Sequence, residues 1–329
     1  MMNVTRPHRR QFLHLAAGVA ALPFSPHVAK AQAYPSRPVR IVVGYPPGGS
    51  ADLHARLMGQ WLTQRLGQQF VVENRPGAGG NIGTEAVVRS QPDGYTLLLA
   101  ATADAVNASL YTNMSFNFVR DIAPVVGIVR GGTAMVVHPS FPSRTVPEFI
   151  NYAKANPGKI TMATAGNGSP SHLAGELFKM MAGVDLLHVP YRGDAPALTD
   201  AIAGQVGVIF SPLTVGAEHV KAGKLRALAV TTETRSEVLP SLPTVAETIP
   251  GYEASGWAGV GAPKQTPPEI IALLNREVNA ALQSPAIKAR YAELGVVILG
   301  DTPEGFAKFV SGETEKWVKV LRFAGIKPE

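Results

Sequence analysis

The stretch Val39-Arg40-Ile41-Val42-Val43-Gly44-Tyr45-Pro46-Pro47-Gly48-Gly49-Ser50-Ala51-Asp52 decides the fold class. The run from Val39 to Val43 reads as a buried strand. The residues from Ala51 to Leu66 read as an amphipathic helix, with Leu53, Leu57, Trp61 and Leu62 on one face. Between them lies a turn built from proline and glycine. Glycines let a backbone approach a ligand closely, and a helix start offers unpaired N–H donors and a partial positive charge. Strand, glycine turn and helix start together predict an anion cradle at Gly48, Gly49 and Ser50. Ser50 is placed to cap the helix. Asp52, in the first turn, either stabilises the helix dipole or receives an amine or hydroxyl of a ligand.

The same alternation continues outward. Strands are expected at Phe70–Glu73 and Tyr95–Ala100, with a helix over Ile82–Ser90 closed by Pro92-Asp93-Gly94. The pattern restarts with a strand at Thr133–His138, a helix at Val146–Ala155, a strand at Ile160–Ala163 and a helix at Ser171–Ala182. Further strands are expected at Leu186–Val189, Val206–Phe210 and Leu225–Val230. From Trp257 the chain reads as mainly helical: Pro267–Leu282, Pro285–Leu294 and Pro303–Phe323, each with proline near its start. Two successive βα blocks predict an α/β protein of two lobes with parallel sheets covered on both faces. The chain's 329 residues suit that size.

The second block carries a matching turn, Thr164-Ala165-Gly166-Asn167-Gly168-Ser169-Pro170-Ser171-His172. It predicts a second cradle at Gly166, Asn167, Gly168 and Ser169, facing the first across a cleft. His172 is expected to cap or pack. Asp194, in Tyr191-Arg192-Gly193-Asp194-Ala195-Pro196, is expected to cap the helix that follows it, with a cleft position as the other option. A third glycine cluster, Asn74 to Asn81, has neither dinucleotide-fingerprint nor P-loop spacing.

Composition excludes several functions. Hydrophobic content is 46% and charged content 16%, which is too apolar for a disordered chain. There is no cysteine, so disulfides and thiolate chemistry are absent. The net charge of +6 is concentrated at the start. Four of the 30 basic residues (Arg6, Arg9, Arg10 and Lys30) precede Tyr34, where no acid occurs. That leaves 26 basic residues against 24 acidic ones, with no basic stripe for nucleic acid. The eight histidines lack metal-ligand spacing, and no cofactor motif is present. No esterase elbow occurs. Ser169 and His172 could be imagined as a hydrolytic pair, but no third group is in sight.

Residues 1–33 read as an export signal. Arg9-Arg10-Gln11-Phe12-Leu13 opens a positive region of twin-arginine type; an apolar run to Phe24 and Ala31-Gln32-Ala33 follow, predicting cleavage after Ala33. The apolar run is too short to span a bilayer. A periplasmic protein that is not membrane-embedded is expected.

Several phrases, in order, resemble the Bug (Bordetella uptake gene) family, the TctC-type solute receptors of tripartite tricarboxylate transporters. They include Pro35-Ser36-Arg37-Pro38, Pro46 to Asp52, Val72 to Asn81, Asp93-Gly94-Tyr95-Thr96-Leu97, Ala155 to Lys159, Gly166 to Ser169, His188 to Gly193, Leu239 to Glu247 and Trp257-Ala258-Gly259. The resemblance implies a type II periplasmic-binding-protein fold with a ligand cleft between lobes. One lobe would combine 34–130 with 254–329, and the other would be 131–253. It implies a monomeric receptor for a small organic acid or amino-acid-like ligand, feeding transporter subunits or a sensor kinase. It places Gly48, Gly49, Ser50, Asp52, Gly166, Asn167, Gly168 and Ser169 at the ligand, with His172 and Asp194 near the cleft. Thr102-Ala103-Asp104 falls in a third family loop, departing from its usual serine-rich pattern.

Overall fold

The computed structural model describes residues 34–323 together with Met1 and Gly325; the expected export signal lies outside the described residues. The chain divides into Met1–Tyr34 and Pro35–Glu329, and all that follows concerns the second unit.

The quoted stretch forms the expected strand and helix, β1 (Val39–Val43) and α1 (Ser50–Leu66). After them come β2 (Phe70–Asn74), α2 (Asn81–Val88), β3 (Thr96–Ala101), and the short helices α3 (Thr102–Val106) and α4 (Phe118–Asp121). β1 pairs in parallel with both β2 and β3. The face of α1 differs from expectation. Ala51, His54, Ala55, Met58, Gly59 and Leu62 are buried, while Leu53, Leu57 and Trp61 are only half-buried. Small residues win that face because the sheet lies close: a side chain at position 59 would meet the Phe70 carbonyl at 3.1 Å.

β4 (Ile122–Val137) is a single strand of 16 residues, where the sequence suggested only its last part. Its first two-thirds pair antiparallel with β9 (Ser255–Pro263), which itself pairs antiparallel with β3. Its last residues pair with β7 (Val208–Pro212) and β8 (Arg226–Val230). A second sheet thus grows from the end of β4: β7 is followed by β5 (Thr161–Thr164) and β6 (Leu187–Pro190), all parallel. Helices α5 (Val146–Ala155), α6 (Pro170–Ala182), α7 (Asp194–Ile202) and α8 (Leu213–Lys221) join these strands. After β9 come α9 (Pro268–Gln283), α10 (Pro285–Glu293), β10 (Val296–Ile298) against β4, and α11 (Pro303–Phe323). Both sheets are therefore of mixed direction rather than purely parallel.

β9 is a strand where the chain from Trp257 reads as mainly helical; it carries Gly256, Gly259 and Gly261, and glycine is depleted in strands. Its absence of side chains is used. A Cβ at Gly259 would lie 2.3 Å from the Phe306 ring of α11. Phe306 and Val310 of that helix join the apolar cluster of Val42, Leu98, Ile122 and Trp257. Farther along, Trp317, Val320 and Leu321 join Phe149, Phe178, Phe210 and Tyr252 beneath the second sheet. The tail helix packs on both.

The third glycine cluster proves structural. A Cβ on Gly44 would meet Gly80 Cα at 2.7 Å, and one on Gly83 would meet Gly44 Cα at 2.8 Å. This backbone crossing fixes the end of β1 where the cradle begins. Gly44→Ala is expected to lower unfolding free energy in urea titration by about 2 kcal/mol, the usual cost of forcing atoms into a filled site. Unchanged stability would contradict this account of the crossing.

Candidate functional site

The end of β1, the start of α1, the hinge strands and the turns of the second sheet border one cleft, which is partly open to solvent. Its walls include Tyr45, Ser50, Ala51 and His54 on one side, Ala165, Ser169, Pro170, Asp194, Pro212 and Thr214 on the other, and Gly131 to Thr133 with Gly256 to Ala258 at the back. A second chamber of about 540 Å³ shares Tyr45 and Ala165 with it and is lined by Gly77 to Gly80, Gly166, Asn167 and Arg192. Among the described residues lining the main cleft there is no lysine or arginine, and Asp194 is the only acid.

The first turn joins strand to helix where expected, with a different cap. Gly49 occupies the N-cap position and offers no side chain, so Ser50 is the first helical residue. Asp194 does the capping across the cleft. Its Oδ2 accepts the Ser50 N–H at 3.2 Å and the Ser50 hydroxyl at 3.1 Å. It does not cap its own helix, α7, whose N-cap is Gly193. The two turns touch closely: a Cβ on Gly193 would sit 2.9 Å from Pro46 Cδ. Burial raises the Asp194 carboxyl above its ordinary pKa, against the two Ser50 hydrogen bonds that lower it. The N–H groups of Gly49, Ala51 and Asp52 have no hydrogen-bond partner among the described residues.

Asp52 is a brace, not a group aimed into the cleft. It is 4% exposed, and its oxygens accept from Arg56 at 2.8 and 2.9 Å, from the Gly48 N–H at 3.1 Å and from Asn74 at 3.0 Å. Burial disfavours its charge, but these bonds outweigh burial and hold its pKa below the ordinary value. Asn74 also reaches the Tyr45 carbonyl at 2.9 Å, which ties the turn to β2.

The second turn does not form a matching cradle, because it spends its donors on itself. The Ala165 N–H bonds Ser171 Oγ at 2.8 Å, the Gly166 N–H bonds Thr164 Oγ1 at 3.3 Å, and the Gly168 N–H bonds His172 Nδ1 at 3.1 Å. Ser169 caps α6 by accepting the His172 N–H at 3.3 Å, and its hydroxyl donates to the Gly166 carbonyl at 2.6 Å. Ser169 and Pro170 still line the cleft as a wall, while Gly166 and Asn167 line the outer chamber. In this geometry the Ser169 hydroxyl and the His172 ring make no hydrogen bond to each other. His172 Nδ1 receives a backbone proton rather than the Ser169 proton, and its ring stacks on His188 at 4.3 Å.

The third loop is corrected as well. Thr102, Ala103 and Asp104 are buried in α3 and absent from the cleft lining. Thr102 Oγ1 accepts the Trp257 N–H at 2.9 Å. Asp104 accepts from Thr84 and, at 2.8 Å, from the Ala101 N–H. Burial pushes its carboxyl up to about 6. Only Ala101 reaches the cleft.

His54 was not singled out in the sequence. Its signal is spacing: it lies four residues after Ser50, one turn along the same helix face. It is 4% exposed, lies 5.6 Å from the Tyr291 ring, and its Nδ1 has no hydrogen-bond partner. Burial lowers its pKa to about 4, so the ring is neutral at pH 7.

With this geometry in place, comparison with known proteins identifies the class. The fold is the two-lobed type II fold of periplasmic solute-binding proteins. The solved structure of R. palustris Rpa4515 with adipate matches with a TM-score of 0.88 and 37% identity, covering 90% of this chain and 100% of that one. MatC from Rhodopseudomonas palustris with bound malate matches with a TM-score of 0.84 and 30% identity, covering 88% and 100%. The model of the tripartite tricarboxylate transporter family receptor matches residues 54–326, and the chain belongs to that family. Protein BugT of Bordetella pertussis is 38% identical over 329 residues, 99% of each chain. The chain is accordingly a solute receptor by fold and family.

Burial lowers His172 to about 3, with His188 and Lys179 adding repulsion. His54 and His172 therefore stay neutral in the folded state when the unfolded chain, with imidazoles near 6.5, binds protons. Their stabilising contribution is complete above about pH 6.5 and declines as pH falls toward the folded values. From about pH 7.5 to about pH 5, urea titration should show a loss on the order of 2 kcal/mol per histidine. His172→Gln should remove its share. A stability independent of pH over that interval would contradict the buried, neutral assignment.

Proposed function

We propose that this receptor works in the periplasm, capturing a small carboxylate-bearing molecule in the cleft for delivery to membrane transporter subunits. The observation that carries the reading is the start of α1. Its unpaired donors lie at the helix end where Ser50 and Ala51 line the cleft, and a carboxylate from the opposite wall, that of Asp194, already bonds the adjacent Ser50. Asp194 stands in for the chemistry that the site performs: a carboxylate held by N–H groups and the helix dipole, without a lysine or arginine. The adipate and malate bound by the two solved relatives are in keeping with such a ligand.

The lobes are taken as 34–130 with 254–329, and 131–253. Support comes from β4 changing partners near Gly132 and from the return to the first sheet at Ser255. A ligand touching both walls favours the closed arrangement, in which the receptor docks. The open N–H groups of Gly49, Ala51 and Asp52, beside Gly48 and Ser50, form the anion side. Ser169, Pro170 and Asp194 form the facing wall. Capture without chemistry is the preferred reading over a hydrolase, given the occupied Ser169 hydroxyl and the misdirected His172.

A thermal-shift screen of the mature chain with mono-, di- and tricarboxylates and amino acids tests this. At ligand concentrations of about 100 times Kd, binding adds about 2.7 kcal/mol of stability and raises Tm measurably. At least one carboxylate should do so. Shifts given only by neutral ligands, or ester turnover lost in Ser169→Ala, would overturn the proposal.

A further inference from the structure

Asp194 is the acid of the main cleft lining, and no lysine or arginine lines that cleft. It makes no ion pair among the described residues, in contrast to Asp52, which Arg56 pairs at 2.8 Å. A half-buried carboxylate without a cation is drawn to the nearest concentration of donors. That is the start of α1, whose cap position, Gly49, has no side chain to offer. Each end meets the other's demand: the hydrogen bonds of Asp194 run to Ser50, 3.2 Å from its backbone nitrogen and 3.1 Å from its hydroxyl.

The backbone on each side is shaped for the contact. A Cβ on Gly49 would lie 3.3 Å from Asp194 Oδ2, and one on Gly193 would lie 2.9 Å from Pro46 Cδ. Gly193 has a φ of 140°, which residues with a side chain rarely adopt. Side chains at these two positions would hold the turns apart. Donor and acceptor both belong to the chain, so the contact that joins the two walls needs no third molecule. It is also easily reversed. Asp194 and Ser50 are half-buried rather than sealed, and partly exposed charged contacts are individually weak.

A carboxylate approaching the same helix end meets a carboxylate already there. Two like charges about 4 Å apart repel even in water. We infer that Asp194 is an internal latch: its carboxylate occupies the start of α1 as a ligand's would, holds the two turns together, and leaves Ser50 when a carboxylate ligand binds there. The latch lowers affinity for carboxylates and sets how far the cleft stands closed beforehand. Its displacement by a ligand rests on the capture reading above; its closing effect does not.

Two readouts test it. The chain has no cysteine, so Gln60→Cys on α1 and Thr199→Cys on α7, both exposed positions, take one spin label each. Pulsed electron paramagnetic resonance then measures their separation in the mature protein with no ligand added. The parent chain should give mainly the short separation set by this structure. Asp194→Ala should move most of the population to a longer one. Asp194→Asn, which keeps an acceptor oxygen for Ser50 but no charge, should fall between them, and it is the second variant if the first does not fold. Calorimetric titration of the same proteins with adipate and with malate gives the second readout. Asp194→Ala should bind at least one of them about fivefold more tightly than the parent chain does, the factor that follows from removing a like charge at that distance in water. Separations that stay short in both variants overturn the inference. So do lengthened separations where adipate or malate binds the parent chain and binds Asp194→Ala no more tightly. Absence of binding by these acids, and by every carboxylate in the thermal-shift screen, to the parent chain and both variants removes the capture reading, while the ligand-free separations still decide the latch.

Discussion

A helix begins with backbone N–H groups that no residue of the helix can accept, and the start of α1 is where this protein puts that demand to use. An ordinary helix would satisfy it with a side-chain cap. Here the cap position is Gly49, which has none, and the demand passes to other partners. Asp194 takes the Ser50 donors from across the cleft, and Asp52 turns back to take the Gly48 N–H. The Arg56 and Asn74 contacts then fix Asp52, and Asn74 fixes the Tyr45 carbonyl. The crossing of Gly44 over Gly80 and Gly83 sets the height at which the turn leaves β1. The N–H groups of Gly49, Ala51 and Asp52 are left without a partner among the described residues, at the helix end where Ser50 and Ala51 line the cleft.

The same site depends on how the two sheets are joined. β4 runs through both without a break, pairing with β9 before Gly132 and with β7 and β8 after it. The back of the cleft is this strand together with the start of β9, so its hinge is hydrogen-bonded β structure rather than a loose linker. α11 adds a second tie, burying Phe306 against one apolar cluster and Trp317 against another. In the proposed capture, closure would bend these elements, a hinge motion of a familiar type.

The strand, glycine turn and helix from Val39 to Leu66 were legible in the sequence because the signal is local: an apolar run, a turn that only glycine and proline favour, and helical spacing. β9 was not legible, since Gly256, Gly259 and Gly261 argue against a strand unless Phe306, far along the chain, is known to need the space. The cap of α1 was hidden for the same reason, as Asp194 is 144 residues from Ser50. The Gly166 to Ser169 turn carried the composition of an anion cradle. Composition does not say where the donors go, and Thr164, Ser171 and His172 consume them. Thr102 to Asp104 fell in a family loop, yet packing drew those side chains inward. Family resemblance named the fold and the receptor class; the physical pairing of donors and acceptors decided which residues of the expected site still have something to offer a ligand.

The most direct test of the account is to follow the backbone amides of α1 by nuclear magnetic resonance while a binding carboxylate is added. The Ala51 and Asp52 amide protons should move downfield and saturate with the ligand, as expected for N–H groups that gain a charged acceptor. Saturable binding that leaves those two amides unmoved, with the shifts gathered instead at Gly166 to Ser169, would contradict the assignment of the α1 start as the anion site.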